Sequence, residues 1–166
     1  MRPTTIKIFH VTNILLLSLV AGVWWGRWLG PSRSIDTLTP QTFLEVSHTM
    51  IPNFSSAMPV LMPAALISTL PVLYLLYRVR SMRAFYFTLT GSLIFAGTLL
   101  IALLVNVPID RQIQQWTLNT LPENWEHIRD RWEFFNTLRT FASLSGLAFI
   151  VWGSLLPRPT RDAATR

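Results

Sequence analysis

The sequence contains no cysteine. That absence excludes disulfides, thiolate zinc sites, iron–sulfur clusters and cysteine nucleophiles together. Charge is scarce too: Asp, Glu, Lys and Arg make up 13% of the 166 residues, about half the roughly 25% usual in soluble domains. No Gly-rich phosphate loop and no G-x-S-x-G segment occurs, so nucleotide binding and serine-triad hydrolysis have no motif here. The three histidines, His10, His48 and His127, form no His-x-x-x-His pair, which leaves no metal-binding set and argues against a haem bundle. There is no internal repeat, low-complexity tract or domain-splitting linker. Residues 1–166 therefore read as one domain, and a single copy offers no alternating-access machinery unless it forms a homo-oligomer.

What is present is apolar. Hydrophobic residues make up 51% of the chain, with 7 Trp and 10 Phe, the kind of aromatic content that anchors helices at membrane interfaces. A helix needs roughly 20 apolar residues to cross a bilayer core about 30 Å thick. Four segments are long enough: about 8–29, 57–77, 84–105 and 134–156. The first is not read as a cleaved signal peptide, because Trp24, Trp25 and Trp28 stand where a small-x-small site would be. The second holds Pro59, Pro63 and Pro71, which membrane helices tolerate when neighbours satisfy the freed carbonyls. Gly91 and Gly97 in the third are available for close helix contact, and Pro157 and Pro159 end the fourth. The fold class expected is an all-α membrane protein, a four-helix bundle with short amphipathic helices in the two longer loops.

Charge orients the bundle. Arg78, Arg80 and Arg83 in the tight second turn, Arg2 and Lys7 at the start, and Arg158, Arg161 and Arg166 at the end share one side with the single acid Asp162. The other side mixes Arg27, Arg33, Arg111, Arg129 and Arg131 with seven acids. The positive-inside rule puts both termini in the cytoplasm, as expected of a plasma (inner) membrane protein. The net charge of +6 sits between apolar segments, so its partner is the lipid bilayer, not nucleic acid. In the first long loop Thr39 as N-cap, Pro40 at the first helical position and an apolar stripe of Phe43, Val46 and Met50 predict a short helix. In the second long loop Glu123 or Asn124 begins another, which leads into span four.

Polar residues inside the apolar runs mark where chemistry resides. Trp132, Asn136 and Arg139 are spaced by four and three, so they share one face of span four. A charge in the hydrocarbon region costs a few kcal/mol and normally faces the bundle interior. Arg139 lies about a turn inside the boundary, where snorkelling would explain it alone. Asn136 on the same face points to a site instead, because an amide gains nothing from lipid. A second polar set, N-V-P-I-D-R at 106–111, closes span three at the same depth. Taken by itself it reads as Asn106 capping the helix and Pro108 stopping it, with Asp110 and Arg111 at the interface.

These two motifs, N106-x-P-x-x-R111 followed by W132-x-x-x-N136-x-x-R139 at the start of the last of four spans, resemble the anthrone oxygenase-like family of small membrane proteins. The layout fits most of the chain; the specific motifs occupy 106–139. Many members carry asparagine where Asp110 stands here, which changes the polar contacts available. The resemblance implies oxidation of an anthrone to an anthraquinone by molecular oxygen, with no metal or flavin cofactor.

Such a reaction needs a base, hydrogen-bonding or positive groups for an enolate oxygen, and a dry aromatic-lined pocket for a hydrophobic aromatic small molecule and oxygen. Arg139 with Asn136 or Asn106 suits the oxyanion role, Trp132 suits stacking on a flat ring system, and Arg111 stands beside them. His48 is the expected base, oriented by Glu45 three residues earlier; His127 is the second choice. His10 lies a helix length away, where with Asn13 it makes a helix–helix contact. Two readings from different classes remain: an oxygenase, and a non-catalytic helper protein whose polar cluster fixes helix packing. The oxygenase requires a cavity among these residues. The helper predicts that the polar groups pair with one another, Arg139 with Glu133 or Asp110, and leave none.

Overall fold

The computed structural model describes residues 3–157. Arg2, Arg158, Pro159, Arg161, Asp162 and Arg166, which carry part of the charge argument, lie outside the described residues. Six α-helices follow in order: α1 (Pro3–Leu29), α2 (Pro40–Ile67), α3 (Thr69–Arg78), α4 (Met82–Ile101), α5 (Val107–Ile113) and α6 (Trp125–Leu155). Two short 3₁₀ turns, Pro31–Arg33 and Ile35–Thr37, link α1 to α2. Among the described residues there is no strand. Four helical stretches are long and apolar enough to cross a membrane: α1 with its following turns, α2 with α3, α4 through α5, and α6. The protein is an all-α integral membrane protein of four spans.

The loop helices are helical as expected, but neither is separate. Thr39 caps α2, its hydroxyl accepting the Thr42 N–H at 3.3 Å, and Pro40 fills the first turn. The helix then continues for 28 residues through Pro52, Pro59 and Pro63. Each proline removes one backbone bond, and no glycine or turn cluster accompanies it to end the helix. The break comes at Ser68, whose hydroxyl donates to the Ala65 carbonyl at 2.7 Å. Asn13 of α1 reaches this break and donates to the Ser68 hydroxyl at 2.8 Å, the helix contact anticipated for it. The second loop segment runs without interruption into α6, a helix of 31 residues.

Pro108 does not stop its helix. Ala102–Asn106 forms a π-helical turn, and α5 resumes directly after it. A proline at 108 has no N–H for the Leu104 carbonyl, and a locally widened turn accommodates the lost bond without ending the rod. Between α3 and α4 the chain reverses through Arg80 at φ 54°. The Ser81 N–H bonds the Leu76 carbonyl and the Arg80 N–H the Tyr77 carbonyl, a Schellman ending.

The closest packing joins α4 to α6, where the glycines are needed. A Cβ on Gly91 would lie 2.5 Å from the Gly146 carbonyl oxygen, and one on Gly146 would lie 3.0 Å from that of Gly91. Nothing approaches Gly97 within 4 Å. Buried Leu17, Val20, Met62, Phe95 and Ile150 fill the middle of the bundle, while Leu15, Leu19, Val60, Leu93 and Leu100 are more than half exposed and form a belt suited to lipid. At the loop end Phe43, Ile109, Ile113, Trp116, Trp125 and Trp132 make a second core. That core supports the site.

Candidate functional site

Four segments converge on a cavity of about 840 Å³ at the loop end of the bundle, within the roughly 300–1,000 Å³ range of small-molecule sites. α1 contributes Trp24 and Arg27, the π turn with α5 contributes Ala102, Asp110 and Arg111, and α6 contributes Trp132, Asn136 and Arg139. The long wall comes from α2: Met50, Phe54, Met58 and Met62, spaced by four along one helix face, together with Pro52, Pro59 and Pro63. It is a mostly apolar chamber with polar groups gathered on the α5–α6 side.

Those polar groups are held in a chain. Asn136 donates through Nδ2 to the Trp132 carbonyl at 2.9 Å and accepts through Oδ1 from Arg139 Nη2 at 2.8 Å. The three-and-four spacing on one helix allows both bonds. The Arg139 guanidinium also lies 4.6 Å from the ring centroid of Trp24 across the α1–α6 contact. A charge on a membrane helix costs about 3 kcal/mol. One charged hydrogen bond of about 2 kcal/mol and a desolvated cation–π contact of about 2 kcal/mol offset that cost. Only Nη2 of the guanidinium is hydrogen-bonded among the described residues, and the buried Nε has no partner. Among the described residues no carboxylate forms a salt bridge with it.

Arg27 is arranged as the complement. It forms an ion pair with Glu133 at 3.0 Å, both side chains largely buried, and its guanidinium sits 4.6 Å from the Trp132 ring centroid. Glu133 is therefore taken by α1, not by Arg139. Trp132, 3% exposed, also donates its indole Nε1–H to Asp110 Oδ1 at 2.8 Å and meets Phe43 edge-on at 6.4 Å. An ion-paired arginine, a carboxylate and a phenyl ring thus hold this tryptophan in place.

Of the residues expected at the site, the structure brings Arg111, Trp132, Asn136 and Arg139 together on the cavity wall. Asn106 is buried behind Trp132 and donates to its carbonyl at 3.4 Å, with Oδ1 unpartnered among the described residues. His48 and Glu45 do not line the cavity. His48 is exposed and donates from Nε2 to the Ile113 carbonyl at 3.0 Å, which ties α2 to α5. Glu45, exposed on α2, accepts from Gln41 at 3.0 Å and makes no bond to His48. His127 is exposed on the outer part of α6. Among the described residues no three of His, Asp and Glu are grouped to hold a metal ion.

Sequence reasoning missed Trp24, Arg27 and the α2 wall. The signals existed. Arg27 stands as close to the end of its span as Arg139 does, and Met50, Phe54, Met58 and Met62 follow a strict four-residue spacing that marks one helix face.

Comparison with curated proteins and with solved structures finds no match. The profile of the anthrone oxygenase family matches residues 52–149. That stretch runs from the cavity face of α2 to the inner half of α6 and takes in both polar motifs, leaving Trp24 and Arg27 outside it. Because the match spans more than half of the 166 residues, the chain belongs to the anthrone oxygenase family.

Proposed function

We propose that the protein is a membrane-embedded oxygenase that oxidises a flat, lipid-soluble aromatic of the anthrone or phenol type with molecular oxygen, holding it as its anion in the loop-end cavity. The observation that carries this reading is the mostly apolar cavity of about 840 Å³ with a guanidinium, Arg139, whose one hydrogen bond among the described residues goes to a neutral amide. An enolate or phenolate oxygen supplies the missing counter-charge. Trp24 and Trp132 line the cavity with an arginine over each ring, and their aromatic edges with the α2 side chains make its wall apolar. The family membership supports the same chemistry.

The balance of the reaction fits such a site. Loss of a methylene proton gives a carbanion conjugated with the ketone, so the charge rests on oxygen. One electron passes to dioxygen, and the resulting radicals combine to a peroxide. Loss of water then leaves a carbonyl where the methylene was. One methylene and one dioxygen give one carbonyl and one water, so the substrate supplies all four electrons and no further reductant enters the balance. What the protein adds is charge stabilisation of the anion, which is worth most where water is excluded. A purely structural role for the polar cluster accounts for the Arg27–Glu133 and Asn136–Trp132 contacts but leaves the cavity without a reason.

Arg139→Ala is expected to lower anthrone-dependent oxygen uptake by on the order of 100-fold, the usual effect of removing one oxyanion donor. Arg139→Lys, which keeps charge without the planar fork, is expected to fall between. Undiminished uptake in a folded Arg139→Ala protein would contradict the reading.

A further inference from the structure

The oxygenase reading needs a base, and the cavity contains one. Among its lining residues Asp110 has the only carboxylate, and no imidazole lines it. Three features set this carboxylate apart from the other acids nearby. Its Oδ1 accepts the Trp132 indole N–H at 2.8 Å, which fixes the group at the cavity wall. Its Oδ2 receives no hydrogen bond from any described residue. It forms no ion pair: among the described residues the two salt bridges are Arg27–Glu133 and Arg129–Asp130. Glu133, by contrast, is occupied by Arg27.

We infer that in this chain Asp110, which stands where many family members carry asparagine, is the catalytic base of the site, taking the acidic proton of the aromatic substrate on Oδ2 while Arg139 receives the oxygen of the resulting anion; this rests on the oxygenase reading. The two groups lie on different elements, α5 and α6, and line the same chamber. A planar substrate in this chamber therefore has a proton acceptor and an oxyanion site within one pocket. The proton account closes. Asp110 takes one C–H proton as the carbanion forms and returns it to the peroxide anion after the radicals combine. It then takes the second C–H proton as hydroxide departs and hands it to that hydroxide, leaving water, the new carbonyl and the carboxylate as it began. Trp132 acts as a positioning residue, since its indole N–H holds Oδ1 so that Oδ2 is the basic oxygen.

The test separates proton removal from oxidation. Without oxygen in deuterium oxide, the wild-type protein is expected to speed exchange of the anthrone methylene hydrogens above the buffer background. Asp110→Asn retains an acceptor for the Trp132 N–H and loses the base. It is expected to lower both exchange and aerobic oxygen uptake at least 100-fold, with quenching of tryptophan fluorescence by anthraquinone unchanged. Asp110→Glu should restore part of the exchange. Wild-type exchange and uptake rates in Asp110→Asn overturn the assignment and leave the oxygenase reading standing. Exchange in the wild type that Asp110→Asn abolishes, without oxygen uptake in either, upholds the base and overturns the oxygenase reading. Neither activity in the wild type overturns both.

Discussion

At the scale of single residues, the site is built from two arginines with opposite arrangements. Arg27 has its carboxylate, Glu133, at 3.0 Å, and Arg139 has only the Asn136 amide. The first is a structural pair and the second an open cation. Glu133→Gln tests the difference, because it keeps the shape and leaves the Arg27 guanidinium buried without its counter-charge. Breaking such a pair costs about 3 kcal/mol, so the variant is expected to melt several degrees lower in detergent, whereas Arg139→Ala is expected to change melting much less than activity. An unchanged melting temperature for Glu133→Gln would show that Arg27 is neutralised elsewhere. Much of this was legible in the sequence. The shared face of Trp132, Asn136 and Arg139 follows from their spacing, and the hydrogen-bond chain realises it. The partner of Glu133 was not legible, because pairing between helices far apart in the chain leaves no local periodicity. For the same reason the role of His48 changes: its spacing from Glu45 permits a bond, but the ring turns across to the Ile113 carbonyl on α5.

At the scale of elements, the four spans were readable from apolar length and their joints were not. Pro52 and Pro108 look like breakers, yet α2 runs through the first and a π turn absorbs the second. In a membrane protein the cost of a lost backbone bond depends on what neighbouring helices supply, and that information lies outside the local sequence. The glycines show the same division. Both Gly91 and Gly97 were candidates for close contact, and only Gly91 is pressed against a neighbouring backbone. Gly91→Ala forces a methyl to within 2.5 Å of the Gly146 carbonyl oxygen and is expected to destabilise by about 1–3 kcal/mol. Gly97→Ala, with open space around it, is expected to gain roughly 0.5–1 kcal/mol from its lower unfolded-state freedom. Thermal melts of the two variants check this pair, and equal shifts would contradict the packing described.

At the scale of the whole molecule, the bundle is asymmetric along its axis. The end at the arginine turn is tightly packed around Val72, Leu76 and Ala84, while the loop end holds the large aromatic core and the cavity beside it. That cavity's wall of methionines, phenylalanine and prolines belongs to α2, on which Val60 is exposed away from the cavity. The sequence indicated the polar half of this chamber and concealed the apolar half, because a methionine stripe in a membrane helix reads equally well as a lipid-facing surface.

The most direct measurement is anthrone-dependent oxygen uptake by the reconstituted protein, compared with Met58→Trp, which narrows the cavity on the α2 wall without touching Asp110 or Arg139. The account predicts wild-type uptake well above the spontaneous rate, one dioxygen consumed per anthrone, and a loss of at least tenfold in Met58→Trp at an unchanged melting temperature. Wild-type uptake no faster than background, or full activity with the chamber narrowed, would contradict the claim that this cavity is where oxidation occurs.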